Sequence, residues 1–274
     1  WTFNFDYAHY ALAGVIWVIG WCMILMAGLV FLPVAAVGAL GAIILAGHNL
    51  MDARFWQLAD TLNDRSLAWL WKLLYFAFAS GPIDLLGMRL TVLYSLVPWI
   101  GVMAMGYAFG PVMRMDAAAR RRWCFTIGGG AIVLFVILRG FDLYGDPGKW
   151  NPPPDTSAAA AEGASARPQA PPLLRFLNTN KYPASLLFLL MTLGPTVALL
   201  PLLERARGRV ARFLTVFGRV PLFYYLLHIP LIHLAAIGVS LVRQGEAVPW
   251  LFANHPMRVP DPPEGYVWGL GLLY

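Results

Sequence analysis

The sequence predicts an all-α fold, a polytopic transmembrane bundle of about six to seven helices. Of the 274 residues, 59% are hydrophobic and only 12% are charged, and the mean hydropathy is +0.63. Ordinary soluble domains carry roughly 25% charged residues. Apolar stretches of about 20 residues, the length that crosses a hydrocarbon core of about 30 Å, recur along the chain. The composition therefore argues against a soluble protein.

The N-terminal third predicts two helices followed by a mixed region. No charged residue occurs from Tyr7 to Gly47, and this stretch is too long for one helix. Pro33 offers a break because proline has no backbone N–H to donate, so we expect helices over 10–32 and 34–47. Residues 48–90 begin as a polar loop and continue into a short aromatic piece that we expect at the membrane interface.

The rest of the chain predicts further helices in one transmembrane domain. From their apolar runs we place them at 91–109, 123–141, 183–203, 220–242 and from Tyr266 onward. Residues 150–175 are rich in Pro, Ala and Ser, which is typical of a disordered loop. Because residue 1 is Trp and the last residues are apolar, we expect the single domain, 1–274, to be truncated at both ends.

Arginines near the helix ends predict the orientation. They cluster between 109 and 123 and between 203 and 220, and the positive-inside rule places both loops in the cytoplasm. The rule explains the net charge of +6 without nucleic acid as a partner, although these arginines could also bind the phosphates of a nucleotide-like donor. Arginine outnumbers lysine 17 to 3, which together with abundant Ala and Pro indicates a bacterial protein of the cell (inner) membrane.

Nearly all His, Asn and Asp residues then fall on the outer side, so we expect a functional site to open outward, with the 150–175 loop extracytoplasmic. These residues are Asp6, His9, His48, Asn49, Asp52, Asp84, Asp142, Asp146, Asn178 and Asn180. Cys22 and Cys124 lie in apolar segments, so we expect neither a disulfide framework nor a metal site.

The sequence Gly-His-Asn-Leu-Met-Asp at 47–52 contains a candidate catalytic pair. His48 and Asp52 are four residues apart and would face each other if a helical turn continued there. A carboxylate that orients an imidazole suits general-base catalysis. The alternative is a helix end whose polar groups bond only to the backbone.

Two histidines lie within the apolar run 220–242. Polar groups at mid-membrane depth are costly and usually face a bundle interior or a wet cavity. His228 and His233 point about 140° apart on an ideal helix, so they do not suggest a metal pair. We therefore consider His228 as a candidate catalytic residue, with His233 bonding a neighbouring helix.

The outer ends of two other predicted helices supply candidate substrate-binding residues. Arg139 could snorkel to the interface, pair with Asp142 or hold an anionic group. Pro183 is favoured in a first helical turn, so the helix over 183–203 would direct its free N–H groups outward. With that helix start, the residues that could contact an anion or a sugar are Asn178, Asn180, Lys181 and Tyr182. The alternative is a capped helix end with an anchoring lysine.

Several stretches resemble a family of bacterial multi-pass membrane proteins related to heparan-α-glucosaminide N-acetyltransferase. They read FLNTNKYPASLLFLLMTLGP, VFGRVPLFYYLLHIPLIHLAA, LVPWIGVMAMGYAFG and GHNLMD. The resemblance covers most of the chain outside 150–175, and KYP followed by SLLFLLMTLGP is its most specific part. It does not supply a catalytic histidine, since the family's key histidine belongs to an early segment that would precede Trp1.

The resemblance implies a transmembrane acyltransferase. Acetyl-CoA or another acyl-CoA would be the co-substrate on the cytoplasmic side, and a glycan or amino sugar would accept the acyl group outside. Such chemistry needs a base and polar groups that stabilise the oxyanion, but no metal. The expected partners are the lipid bilayer and the acceptor, and homo-oligomer formation is left open. A transporter or flippase for a small polar or lipid-linked substrate is the main alternative, and a non-catalytic membrane scaffold is the other.

Overall fold

The chain is helical, and its helices are arranged in two compact units. The computed structural model describes residues 10–54, 68–76, 82–85, 88–151, 171–247 and 252. One unit is formed by the described residues from 10 to 205, and the other by the described residues from 206 onward. Each unit is described below by itself.

The first unit contains seven helices in the described part of the chain, and the second contains two. The seven are α1 Val15–Leu29, α2 Val34–Gly47, α3 Ala68–Trp71, α4 Leu96–Met113, α5 Ala117–Gly140, α6 Pro172–Leu177 and α7 Leu186–Leu203. The other two are α8 Arg209–Arg219 and α9 Pro221–Gln244. A 3₁₀ helix, His48–Arg54, follows α2, and a π-helical turn, Lys72–Phe76, follows α3.

Five described segments are long and apolar enough to cross a membrane. They are Val34–Asp52, Leu96–Met113, Ala117–Gly140, Leu186–Leu203 and Pro221–Gln244. The apolar helix Val15–Leu29 is shorter. The predicted all-α polytopic bundle is therefore confirmed, while the helix expected from Tyr266 onward lies outside the described residues.

A small sheet replaces the first turns of two predicted helices. Its strands are β1 Tyr10–Ala13, β2 Ile83–Leu85 and β3 Met88–Val92, in the order β1-β3-β2. Strand β3 pairs in parallel with β1 and antiparallel with β2. The helices expected at 10–32 and 91–109 therefore begin later, because a short apolar run suits a buried strand as well as a helix.

The arginine-rich loop before the predicted helix 123–141 is itself helical. Helix α5 begins at Ala117 because the Asp116 carboxylate accepts hydrogen bonds from Ala118 N and Ala119 N, at 2.9 and 3.0 Å. The bonds from Ala119 and Ala118 hold the pKa of Asp116 below its usual value. Asp116 is a preferred type of N-cap residue, and arginine is a good helix former, so the helix extends by two turns.

Two other predicted loops also contain helices. Helix α6 occupies the end of the 150–175 segment, which was expected to be disordered, and residues 152–170 lie outside the described part. Helix α8 lies in the arginine-rich segment between 203 and 220.

Small residues allow close packing within two helix pairs. A Cβ added at Gly38 of α2 would lie 2.8 Å from Ala108 Cβ of α4. A Cβ added at Gly128 of α5 would lie 2.5 Å from Ala198 N of α7. Such glycines permit backbones to approach in a membrane, where packing rather than water drives association. An apolar cavity of about 240 Å³ separates the two pairs, with lining residues from α2, α4, α5 and α7.

Candidate functional site

The polar residues of the first unit gather at the end where α2 finishes and α7 begins; we call this the polar end. His48 is buried there, and its Nδ1 lies 3.1 Å from the Ile44 carbonyl oxygen and its Nε2 2.9 Å from that of Ala184. A ring nitrogen accepts a proton through a free lone pair. A base role for His48 would first require one of these contacts to open. The ring here joins the end of α2 to the chain just before α7.

Asp52 is bound by residues other than His48. Its Oδ2 accepts a hydrogen bond from Asn49 Nδ2 and its Oδ1 one from the Tyr75 hydroxyl, both at 2.5 Å. The expected contact between His48 and Asp52 assumed α-helical geometry, in which residues four apart are neighbours. In the observed 3₁₀ helix, residues three apart eclipse each other, so the partner of Asp52 is Asn49.

Two tyrosines surround this carboxylate. Burial, followed by the hydrogen bond to Asp52 and the charge of Asp52, raises the pKa of Tyr75. Burial, followed by the charge of Asp52, also raises the pKa of Tyr144, whose hydroxyl donates to the Ala46 carbonyl oxygen at 2.6 Å. Both phenols therefore remain neutral hydrogen-bond donors at physiological pH.

A cavity of about 480 Å³ opens beside Asp52. The residues that line it are Asn49, Leu50, Asp52, Leu143, Tyr144, Gly145, Asp146 and Pro147. Its two carboxylates come from the 3₁₀ helix after α2 and from the loop after α5. Amide, phenol and carboxylate groups there could orient a hydroxyl or amine of a bound molecule.

The first N–H groups of α7 are already bonded, which corrects the expectation that they await an anion. The helix begins at Leu186, with Ser185 as its N-cap residue, so Pro183 lies before the helix and not in its first turn. Leu186 N donates to Asn49 Oδ1 at 2.8 Å, Leu187 N donates to the Gly145 carbonyl at 2.9 Å, and Phe188 N donates to Ser185 Oγ at 3.1 Å.

Asp146 is a central acceptor in the polar end. Its Oδ2 accepts from Asn180 N at 2.7 Å and from Ser185 Oγ at 3.0 Å. Its Oδ1 accepts from Gly148 N at 2.9 Å and lies 3.8 Å from Arg139 Nη1. Asp146 therefore holds the loop after α5 against the segment before α7.

Arg139 is buried and bonded to main-chain carbonyls, so it does not snorkel. Its guanidinium donates to the carbonyl oxygens of Gly148, Arg175, Phe176 and Asn178 at 2.6–3.3 Å. The carboxylate beside it is Asp146, whereas the sequence suggested Asp142. This side chain fixes two backbone segments, and a substrate would have to compete with their carbonyls for its donors.

A larger cavity, of about 690 Å³, lies around Arg139; we call it the cation-lined cavity. The residues that line it are Arg139, Asp146, Pro147, Gly148, Lys149, Trp150, Arg175, Asn178, Thr179 and Asn180. Three predicted substrate-binding residues, Arg139, Asn178 and Asn180, are thus brought together.

Sequence reasoning missed Lys149 and Arg175 as site residues. For Lys149 the available signal was a charged residue beside Gly148 in a loop on the outer side, whereas Arg175 lies in α6. The Nζ of Lys181 instead lies 5.2 Å from the Tyr182 ring centroid and 5.9 Å from that of Tyr94, in cation–π contacts.

The two histidines of α9 belong to the second unit. His228 stacks on Tyr224 with centroids 5.9 Å apart, and its Nδ1 contacts the Tyr225 carbonyl oxygen. His233 is buried, and its ring meets the edge of Phe252 at 5.8 Å. A catalytic role for His228 stays a prediction.

Neither the cysteines, nor metal-binding groups in the described residues, nor comparisons with known proteins extend this description. Both cysteines are free and buried, and no metal-binding group of His, Cys, Asp or Glu occurs among the residues that the structure describes. Comparison with known proteins finds no matching family model, no matching curated protein and no matching solved structure.

Proposed function

We propose that this protein is a membrane-embedded acyltransferase that moves an acyl group from an acyl-CoA-type donor to the amine or hydroxyl of a glycan or amino sugar. One observation carries the proposal. Two polar cavities, of about 690 and 480 Å³, adjoin at the polar end and share the wall formed by Asp146 and Pro147. Volumes of this order suit a small-molecule ligand. The sequence resemblance to transmembrane N-acetyltransferases supports the same reaction class.

The reaction requires that the acceptor's nitrogen or oxygen form a bond to the acyl carbon while the carbon–sulfur bond breaks. The CoA thiolate leaves, and the proton of the acceptor passes to a base. We assign Asp52 this role because its carboxylate lines the smaller cavity. Asn49 and Tyr75 hold that carboxylate in place, and His48 acts as a positioning residue that fixes the end of α2.

The donor is expected to approach from the opposite end of the helices, where arginines are concentrated. Arg120 there donates to Glu204 at 2.9 and 3.2 Å, while neighbouring Arg121 and Arg122 are exposed. Exposed guanidinium groups are suited to the phosphates of a CoA-like molecule. This assignment also agrees with the orientation that the positive-inside rule predicts.

The proposal is tested with the full chain in liposomes, given radiolabelled acetyl-CoA with and without glucosamine. We expect label transfer that depends on the acceptor and falls by about 100-fold or more in Asp52→Asn, the range typical of a lost general base. Asp84→Asn is the matched control, since Asp84 is an exposed carboxylate on β2 that lines neither polar cavity. Glucosamine uptake without label transfer would support a transporter and overturn the enzyme proposal.

A further inference from the structure

Helix α8 is amphipathic and has an exposed apolar face. Four of its apolar residues recur at positions i, i+3, i+4 and i+7, the spacing that places them on one side of a helix. They are Val210, Phe213, Leu214 and Phe217, and 72, 63, 60 and 42% of their surfaces are exposed. A contiguous exposed apolar face marks a site that contacts another protein or a lipid.

The opposite side of α8 carries arginines. Arg212 and Arg219 point about 150–170° away from the centre of the apolar face on an ideal helix, and Arg209 lies at its border. All three are exposed, and none forms an ion pair with a residue that the structure describes. The sequence from 205 to 245 contains no Asp or Glu, so no carboxylate nearby in the chain compensates these charges.

The position of α8 in the chain places it at a membrane surface. A single residue, Val220, separates it from α9, which is long and apolar enough to cross a membrane. The Phe217 ring of the apolar face meets the Tyr224 ring in the first turn of α9, with centroids 5.7 Å apart. A helix of this length spans about 16 Å, too short to cross a hydrocarbon core of about 30 Å. Helix α8 therefore lies along the surface at which α9 enters the membrane.

Two features favour lipid over a protein as the partner of this helix. Phenylalanine and leucine on one side with arginine on the other are typical of helices that lie in the membrane interface. In addition, five arginines occur within 205–219, next to a membrane-spanning helix, and basic clusters in that position attract anionic lipids. The charge and the apolar face thus fit the headgroups and the acyl chains of the same bilayer.

We propose that α8 is a binding site for anionic phospholipids. Its apolar face inserts among the acyl chains, and Arg212 and Arg219 contact the lipid phosphates, which a planar guanidinium can bind through two parallel hydrogen bonds. The inference goes beyond the proposed function and does not depend on it.

The first measurement locates the apolar face. An environment-sensitive fluorophore is attached to Phe213→Cys, or to Thr215→Cys as the matched control on the opposite side, in the full chain in liposomes. Cys22 and Cys124 are buried, and the parent protein, treated with the same label, gives the background. Nitroxides on the lipid acyl chains should quench the label at position 213 at least about twice as strongly as the label at 215, because only the first lies among the chains.

The second measurement identifies the headgroup. Quenching of the Phe213→Cys label by nitroxide-labelled phosphatidylglycerol and phosphatidylcholine should show that the anionic lipid associates at least about fivefold more tightly, the factor that one arginine supplies near a surface. Higher salt should reduce this preference. Arg212→Gln combined with Arg219→Gln should remove most of it, whereas lysine at both positions should retain most of it. Arg89→Gln is the matched control, since Arg89 is an exposed arginine on β3.

Three results would overturn the inference. A label at position 213 that is shielded from water but not quenched by lipid nitroxides would mean that a protein surface covers the apolar face. Equal quenching by the two lipids would mean that the arginines select no headgroup. Loss of the lipid preference on addition of acetyl-CoA would mean that the arginines bind the phosphates of the donor instead. Neither measurement involves acyl transfer, so failure of the proposed function would leave this inference standing.

Discussion

The two ends of the first unit use polar side chains in different ways. At the polar end, hydrogen bonds join residues that are far apart in sequence, such as Asn49 with Leu186 and Asp146 with Ser185. At the opposite end, the Asp116 cap is local and exposed, and the long-range pair between Arg120 and Glu204 is partly exposed. The polar end therefore depends more on buried polar groups for the packing of separate segments.

This difference separates buried groups that hold the packing from exposed charges that also follow from the orientation of the chain in the membrane. Buried polar groups are expensive unless every one is satisfied, so a network of them is kept only where the segments fit together accurately. Exposed arginines cost little and are placed by the orientation of the chain in the membrane. Substitutions at the two ends should therefore differ in effect, and three of them measure by how much.

The largest effect is expected from Asp146→Ala. Loss of this carboxylate leaves the buried guanidinium of Arg139 without its counter-charge and removes the acceptor for Ser185 Oγ. Breaking a buried pair in this way costs about 3–5 kcal/mol. Thermal unfolding in detergent should show a large fall in midpoint, whereas Asp142→Ala, the matched change four residues earlier, should show a small one. Equal shifts would contradict the central place of Asp146.

A smaller effect, which depends on pH, is expected from Tyr75. Its pKa is raised in the folded protein by burial and by Asp52, so the folded state keeps a proton that the unfolded chain releases near pH 10, the usual pKa of tyrosine. The stability that this proton contributes is present in full below about pH 10 and falls as the pH rises above it. Unfolding midpoints measured from pH 8 to about pH 11 should therefore fall more steeply for the wild type than for Tyr75→Phe. Parallel curves would contradict the assignment.

The smallest effect is expected at the opposite end. Arg120→Gln removes the ion pair with Glu204, in which 21% and 38% of the two side chains are exposed. Solvent screening limits such pairs to about 1 kcal/mol or less. Denaturant titration should show a change close to that of Arg121→Gln, a neighbouring exposed arginine. If Arg120→Gln lowered the free energy of unfolding as much as Asp146→Ala does, the two ends would contribute equally to stability.

The sequence predicted those features that depend on a single segment of the chain, such as the positions of the long helices. The apolar runs predicted α4, α5, α7 and α9, and most of the predicted helix ends lie within a few residues of the observed ones. Burial in lipid requires a continuous hydrogen-bonded segment, which is why such runs are reliable. The clustering of polar residues at one end also followed from loop charge. The start of α5 was misplaced because arginine content was taken as a sign of a loop.

The arrangement of the site depends on hydrogen bonds between residues that are far apart in sequence, and the sequence did not predict these pairs. Arg139 bonds to carbonyls that belong to α6 and to two neighbouring loops, and carbonyls carry no signal in a side-chain pattern. The partner of Asp52 changed because α2 continues into a 3₁₀ helix, which shifts contacts from four residues to three. Lys149 and Arg175 were missed because the cavity that they line is formed by two segments that are separate in sequence.

Asn49 has a mechanical consequence for the polar end. Its Oδ1 accepts a hydrogen bond from Leu186 N, and its Nδ2 donates one to Asp52 Oδ2. A carboxamide carries its donor and its acceptor on one planar group, so the two bonds are held in a fixed relative geometry. Asn49 therefore connects the carboxylate that lines the smaller cavity directly to the first N–H group of α7, a helix long and apolar enough to cross a membrane.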